Sequence, residues 1–183
     1  MKWTKVKKNI ENLFCDNLRH RLSIHLTKYK VSLGEQTRIW ITLDKKEVFN
    51  ASSAEYLMEH DKLWEEVKRK TSKAFPECLY ECFPEFIGKV EVMDYTARVL
   101  EHRGVFNVDH VYDAVIQYPQ LSINPALNSE NIILQALALV DRRLGKRTLK
   151  ALRYNSNVHP LIMQFYELRC AVDNITPIKH TSS

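Results

Sequence analysis

The chain has 183 residues, 45% of them hydrophobic and 10% aromatic, with 27 Lys and Arg against 22 Asp and Glu. That is enough for one sizeable globular domain or two small ones, and too apolar for a disordered tail. Four glycines and six prolines exclude collagen-like and flexible low-complexity chains, and four cysteines are too few for a disulfide scaffold.

No apolar run approaches the roughly 18 residues needed to span a bilayer, because the longest, Ile132 to Val140, is interrupted by Gln135. The start mixes Lys7, Lys8, Glu11 and Asp16 among apolar residues and lacks the continuous apolar stretch of a signal peptide, so a cytoplasmic protein with reduced thiols is expected. The net charge of +5 is uneven: residues 1–50 carry a balance of +6, residues 51–100 of −3 and residues 101–183 of +2. A dedicated nucleic-acid binder gathers its cations on one face, and this balance neither requires nor excludes that.

Trp3, Val6, Ile10, Leu13, Phe14 and Leu18 recur at helical spacing, which predicts an amphipathic helix over residues 3–18. Leu22, Ile24 and Leu26 then alternate with Arg21, Ser23, His25 and Thr27, the period of a half-buried strand. After a turn near Gly34, Ile39, Ile41 and Leu43 alternate with Arg38, Trp40 and Thr42, and beyond Asp44-Lys45-Lys46 the chain resumes with Val48 and Phe49. This predicts a three-stranded antiparallel meander with a short hairpin at Asp44 and Lys45. Ser52 and Glu55 have capping-box spacing and open a helix whose buried stripe is Tyr56, Leu57, His60, Leu63, Trp64 and Val67. The stretch from Thr71 to Gly88 holds Pro76 and Pro84 and marks a boundary.

Beyond it the pattern is helical. One helix is expected over about 90–103, closed by Gly104 as its C′ residue, and a second is capped by Asn107 and ended by Pro119. A third opens at Ser129 and runs to Leu144, apolar over so wide an arc that it reads as the central core helix, with Gly145 breaking it. A short basic helix covers about 146–153, and His159-Pro160 leads into a last helix carrying Leu161, Phe165, Leu168 and Val172.

Several segments carry a resemblance: Met1-Lys2-Trp3-Thr4-Lys5-Val6-Lys7-Lys8, then Arg38-Ile39-Trp40-Ile41-Thr42-Leu43-Asp44 with Glu47-Val48-Phe49-Asn50, then Asp141-Arg142-Arg143-Leu144-Gly145-Lys146-Arg147, and Phe165-Tyr166-Glu167-Leu168-Arg169. Together they resemble a family of uncharacterised bacterial proteins of about this size, over most of the chain. The resemblance implies a bacterial cytoplasmic protein and carries no catalytic residue across. Asp44-Lys45 stands where Asp-Gly is expected in the hairpin, which argues against a primed turn there.

Chemistry-bearing motifs are sparse. Phosphate-binding loops and dinucleotide fingerprints need clustered glycines, whereas Gly34, Gly88, Gly104 and Gly145 are isolated. No His pair brackets a Glu at zincin spacing, and Cys78 and Cys82 lack a second pair of ligands, so packing among Phe75, Tyr80, Phe83 and Phe86 is their expected role. His60 is expected as a hydrogen-bonded core histidine. His20 and His25 have opposite-face spacing on a strand, His102 and His110 flank Gly104 without facing their acidic neighbours, and His159 belongs to a helix start.

The segment that stands out electrostatically is Asp141 to Arg153. On a continuous helix Arg142, Lys146, Lys150 and Arg153 form one ridge, with Arg143 and Arg147 beside it, suited to phosphate or to an acidic protein partner. A break at Gly145 would split the ridge, cations at a helix end also complement its dipole, and Asp141 can pair with neighbouring arginines. The α-β-β-β-α order is shared with double-stranded RNA-binding domains, but Ser52-Ser53-Ala54-Glu55 lacks the lysine cluster with which those start their last helix. RNA contact would then fall to the other sheet face, at Arg21, His25, Arg38, Trp40 and Thr42, with Trp40 as a stacking platform.

The sequence therefore predicts an α+β protein: an α-β-β-β-α layer over residues 1–71, a linker over 72–88, an all-helical subdomain over 89–175 and a frayed tail over 176–183. The expected function is a non-enzymatic protein-interaction module whose basic and aromatic surface groups meet an acidic partner. Nucleic-acid binding through residues 142–153 is the alternative, and an enzyme with an unrecognised site the third. No cofactor, metal or membrane contact is expected.

Overall fold

The computed structural model describes residues 2–32, 34–71, 96–154 and 157–176. Helix α1 (Trp3–Glu11) leads into strands β1 (Leu22–Val31), β2 (Gly34–Leu43) and β3 (Lys46–Ser52), followed by α2 (Ser53–Thr71). Residues 96–102 are helical (α3), and after them come α4 (Val108–Gln117), a 3-10 turn (Tyr118–Gln120), α5 (Ile123–Leu127), α6 (Ile132–Val140), α7 (Lys146–Ala151) and α8 (Pro160–Val172). The fold is α+β, as the sequence predicts. The expected linker and the pair Cys78 and Cys82 lie outside the described residues.

The first helix is shorter than its apolar spacing predicts. It ends at Glu11 because the next residues pair elsewhere: Phe14 forms an isolated antiparallel bridge with Asp141, the Cys15 amide donates to the Val140 carbonyl at 2.8 Å, and the Arg142 amide to the Leu13 carbonyl at 2.7 Å. Phe14 and Leu18 are still fully buried, but from a turn. Tertiary pairing of the backbone has overridden a helical pattern whose side chains are core residues in either conformation.

The sheet is an antiparallel meander of order β1-β2-β3, with register from Leu22↔Leu43 to Val31↔Gly34 and from Leu43↔Lys46 to Arg38↔Ser52. Asp44 and Lys45 both have positive φ, 49° and 68°, so the two-residue turn is of the primed type despite lacking glycine. Asp44 reaches that conformation with help: its amide donates to the Arg21 carbonyl at 2.8 Å and its carboxylate takes a two-pronged bond from the Arg21 guanidinium, the closer arm at 2.6 Å. A bulge at Ile41/Thr42 absorbs one residue of β3, which accommodates the consecutive apolar pair Val48-Phe49.

One face of the sheet, with Leu22, Ile24, Ile39, Ile41, Phe49 and Ala51, packs into a single apolar cluster together with α1, α4, α6 and α8. Within it α6 is the central helix, with seven of its nine residues buried, Ile133, Leu134 and Ala136 through Val140. It starts later than Ser129: the Asn131 side chain accepts from the Ile133 and Leu134 amides, while the Ser129 hydroxyl accepts from the Asn131 amide. It also stops earlier, at Val140, because Asp141 is drawn into the bridge with Phe14. Gly145 is the N-cap of α7 and not the end of α6, with a φ of −70° that any residue adopts.

Helix α2 starts at Ser53, as expected, and Glu55 accepts from the Asn50 side chain at 3.0 Å. Of its expected apolar stripe, Leu63 is buried against Leu100, whereas Leu57 is 57% exposed. Helix α3 closes on Gly104 at φ +83°, with the Val105 amide donating back to the Leu100 carbonyl, the C′ glycine that the sequence predicts. Asn107 caps α4 by accepting from the Asp109 amide, and His159 caps α8 with Nδ1 accepting from the Leu161 amide while Nε2 donates to the Glu101 carbonyl at 2.8 Å.

Candidate interaction surface

The sequence-predicted residues fall into two groups on different elements. On the sheet, His25 and Trp40 are cross-strand partners and their rings stack at 5.0 Å, while the Arg38 guanidinium lies over the indole, also at 5.0 Å. His25 Nε2 is 2.9 Å from the Thr42 hydroxyl, and Arg38 bonds Asn50 and Glu47 at 2.7 and 2.6 Å. Partial burial and then the Lys7 charge push the His25 pKa down against the opposing pull of Glu11, so the ring is neutral at pH 7. Arg21 is committed to Asp44. These five residues therefore form a face in which the indole already has two intramolecular partners, which weakens Trp40 as a platform for a nucleic-acid base.

The basic segment is arranged differently from a continuous ridge. Because α6 ends at Val140 and α7 starts only at Lys146, Arg142 and Arg143 lie in the intervening turn and the ridge is split. Arg143 faces inward to Asp141: its Nη2 and Nε donate to the carboxylate at 2.8 and 3.0 Å, its amide to Oδ1 at 2.7 Å, and its Nη1 to the Leu121 carbonyl. Tyr118 donates to the same fully buried carboxylate at 2.6 Å. Burial first, and then the Asp141 charge, hold this phenol far above its ordinary pKa, so it stays a proton donor. Arg153 folds back on the Lys150 and Leu152 carbonyls, where a cation complements the end of α7.

What remains outward is Arg142, Lys146, Arg147 and Lys150, all exposed. Lys146 stands 3.7 Å from Asp173 with 62% of its side chain open, and Arg142, Arg147 and Lys150 have no side-chain partner among the described residues. No acidic residue occurs between Arg142 and Arg153.

Beneath this surface is a network that the sequence pattern did not reveal. Arg169, 4% exposed, donates from Nη1 to the Asp141 carbonyl at 2.8 Å, from Nη2 to the Leu144 carbonyl at 3.1 Å and from Nε to Asp173 at 2.8 Å. Asn17 donates to both Asp173 and the Val172 carbonyl. Burial alone would raise the Asp173 carboxyl, but the bond and charge of Arg169, then Lys146 and Asn17, outweigh it and hold the group below the usual carboxylate range. The turn that bears Arg142 and leads into α7, which carries Lys146, Arg147 and Lys150, is thus pinned at the Asp141 and Leu144 carbonyls by one buried arginine. The sequence offered only an indirect signal, Arg169 as the one basic residue of the last helix.

For catalysis the described residues offer less. His60 is half-buried, stacked on Trp64 at 5.8 Å and tilted against Tyr56 at 5.6 Å; it is not enclosed in the core. Burial pushes the free thiols of Cys15 and Cys170 up, away from the thiolate. Among the described residues no group of His, Cys, Asp and Glu has the arrangement to hold a metal ion, and no helix is long and apolar enough to cross a membrane.

Fold and surface together define an α+β protein with a small meander on a helical body and a cationic turn anchored from within. The chain belongs to the SF0329 protein family, whose model matches residues 2–170. No curated protein and no solved structure matches it.

Proposed function

We propose that the protein is a non-enzymatic interaction module that presents Arg142, Lys146, Arg147 and Lys150 to an Asp- and Glu-rich segment of a protein partner. The observation that carries this reading is the anchoring of the turn: Arg169 fixes the carbonyls of Asp141 and Leu144, and Arg143 is spent on Asp141, so the neighbouring cations project from a rigid base. A preorganised cluster loses less side-chain and backbone entropy on binding than a mobile one. Phosphates of a nucleic acid would meet the same charges, but among the described residues nothing beside them offers a base-stacking surface. Tyr154 is half-buried with its ring edge-on to Tyr166, and Trp40 is engaged by His25 and Arg38.

The test is fluorescence anisotropy with a labelled Glu-rich peptide and with single- and double-stranded RNA and DNA, on the wild type and on a Lys146→Glu, Arg147→Glu, Lys150→Glu variant. Binding of the peptide that the charge reversal abolishes is the expected result. Salt-steep binding of nucleic acid without peptide binding would replace this reading with its alternative.

A further inference from the structure

A cleft of about 260 Å³ opens between α2, α3 and the starts of α4 and α6, and it shares no residue with the cationic turn. Its apolar lining is Phe106, Val111 and Ile133, all buried in the core, together with Tyr56. The Tyr56 hydroxyl is bonded to the Asn107 side chain, and the side-chain oxygens of Asn107 and Asn131 are occupied as helix caps. The charged groups left over are those of Arg98 and Glu101, which line the same cleft. They stand three residues apart on α3, the spacing at which opposite charges on a helix normally pair. Yet among the described residues neither has an ion-pair or side-chain hydrogen-bond partner.

We propose that this cleft binds a free α-amino acid with an apolar side chain. Arg98 takes the carboxylate through its planar fork, Glu101 takes the ammonium, and the Phe106 and Ile133 wall takes the side chain. An α-amino acid carries its two opposite charges on one carbon, which matches two opposite side chains on one helical turn. The volume favours a ligand of this size, since sites for drug-sized ligands run from roughly 300 to 1,000 Å³. A simple anion fits less well, because Glu101 would repel it; exposed His110 in the same lining is the group that would favour it.

Saturation-transfer NMR and calorimetric titration of the full chain with L-phenylalanine and L-leucine test this, with 3-phenylpropionate, phenethylamine and inorganic phosphate as comparison probes. The expected result is binding of an amino acid, with phenylpropionate and phenethylamine each weaker by about tenfold or more, the loss of one charged contact. Arg98→Gln and Glu101→Gln should each weaken the amino acid to a similar degree while leaving the thermal melt unchanged, and Glu101→Gln should erase the preference for phenylalanine over phenylpropionate. Failure of both amino acids to bind, binding of phosphate or phenylpropionate as tight as that of phenylalanine, or binding indifferent to both variants would overturn the proposal.

Discussion

Arg169 is bonded to Asp141 at the main chain: its Nη1 donates to the Asp141 carbonyl at 2.8 Å, which leaves the carboxylate free for Tyr118 and Arg143. One residue thereby serves two buried networks, one through each end. Asp141 also bridges to Phe14, so α6, α8 and the chain leaving α1 meet at this point. Removing Arg169 takes away a bond to each of two carbonyls and leaves the buried Asp173 charge with only Asn17 and the more distant Lys146. Arg169→Met is expected to cost about 3–5 kcal/mol, the usual loss when one partner of a buried ion pair is deleted. Arg169→Lys should fall between, because it keeps the charge and loses the fork. Urea unfolding of the variants measures both.

The same pair sets a pH dependence. The Asp173 carboxyl lies below its ordinary value in the folded protein, so its contribution to stability is present above the unfolded value of 3.8 and is lost as pH falls through the lower folded value. Stability followed by thermal melting should therefore decline on acidification in this range. Asp173→Asn, though destabilised at pH 7, should show a shallower decline.

The turn between β2 and β3 holds Lys45 at a φ of 68°, in the left-handed region where a side chain is strained. Lys45→Gly is expected to stabilise the protein by about 1 kcal/mol, the cost of a non-glycine residue there less glycine's greater freedom when unfolded. Asp44 keeps its Arg21 partner in that variant, so the hairpin register should persist. Chemical denaturation gives the size, and cross-strand nuclear Overhauser contacts between Leu43 and Lys46 check the register.

On α1, Lys7 and Glu11 cover the outer backbone edge of β1. Lys7 Nζ donates to the Ile24 carbonyl at 2.9 Å, and Glu11 Oε1 accepts from the Ile24 amide at 3.1 Å, so two side chains stand in for a neighbouring strand. Glu11→Ala should speed hydrogen exchange at the Ile24 amide and cost about 1 kcal/mol, the net worth of one hydrogen bond. Unchanged exchange at that amide would mean that the edge is protected by something else.

These contacts also show what a sequence can reveal. Strand alternation from Leu22 and from Ile39 located the sheet, because period two is imposed by the pleat wherever one face is buried. Asn107, Gly104 and His159 were legible as helix ends because capping is local chemistry. The early ends of α1 and α6 were not legible. Each is set by the Phe14–Asp141 bridge, which joins positions far apart in the chain while leaving the apolar spacing intact. The same separation hid the bonds of Arg169 to Asp141, Leu144 and Asp173, whereas the pairing of Asp141 with its neighbour Arg143 was legible because the two are close together in the chain. The cleft on α3 was invisible for a related cause, since Arg98 and Glu101 read as ordinary surface charges until Phe106 and Ile133 stand behind them.

The most direct test of the interaction reading is a residue-resolved NMR titration of the full chain with an Asp- and Glu-rich peptide. Shifts should gather at Arg142, Lys146, Arg147 and Lys150 and spare His25 and Trp40. Shifts centred on the sheet face, or none at low salt, would contradict the account.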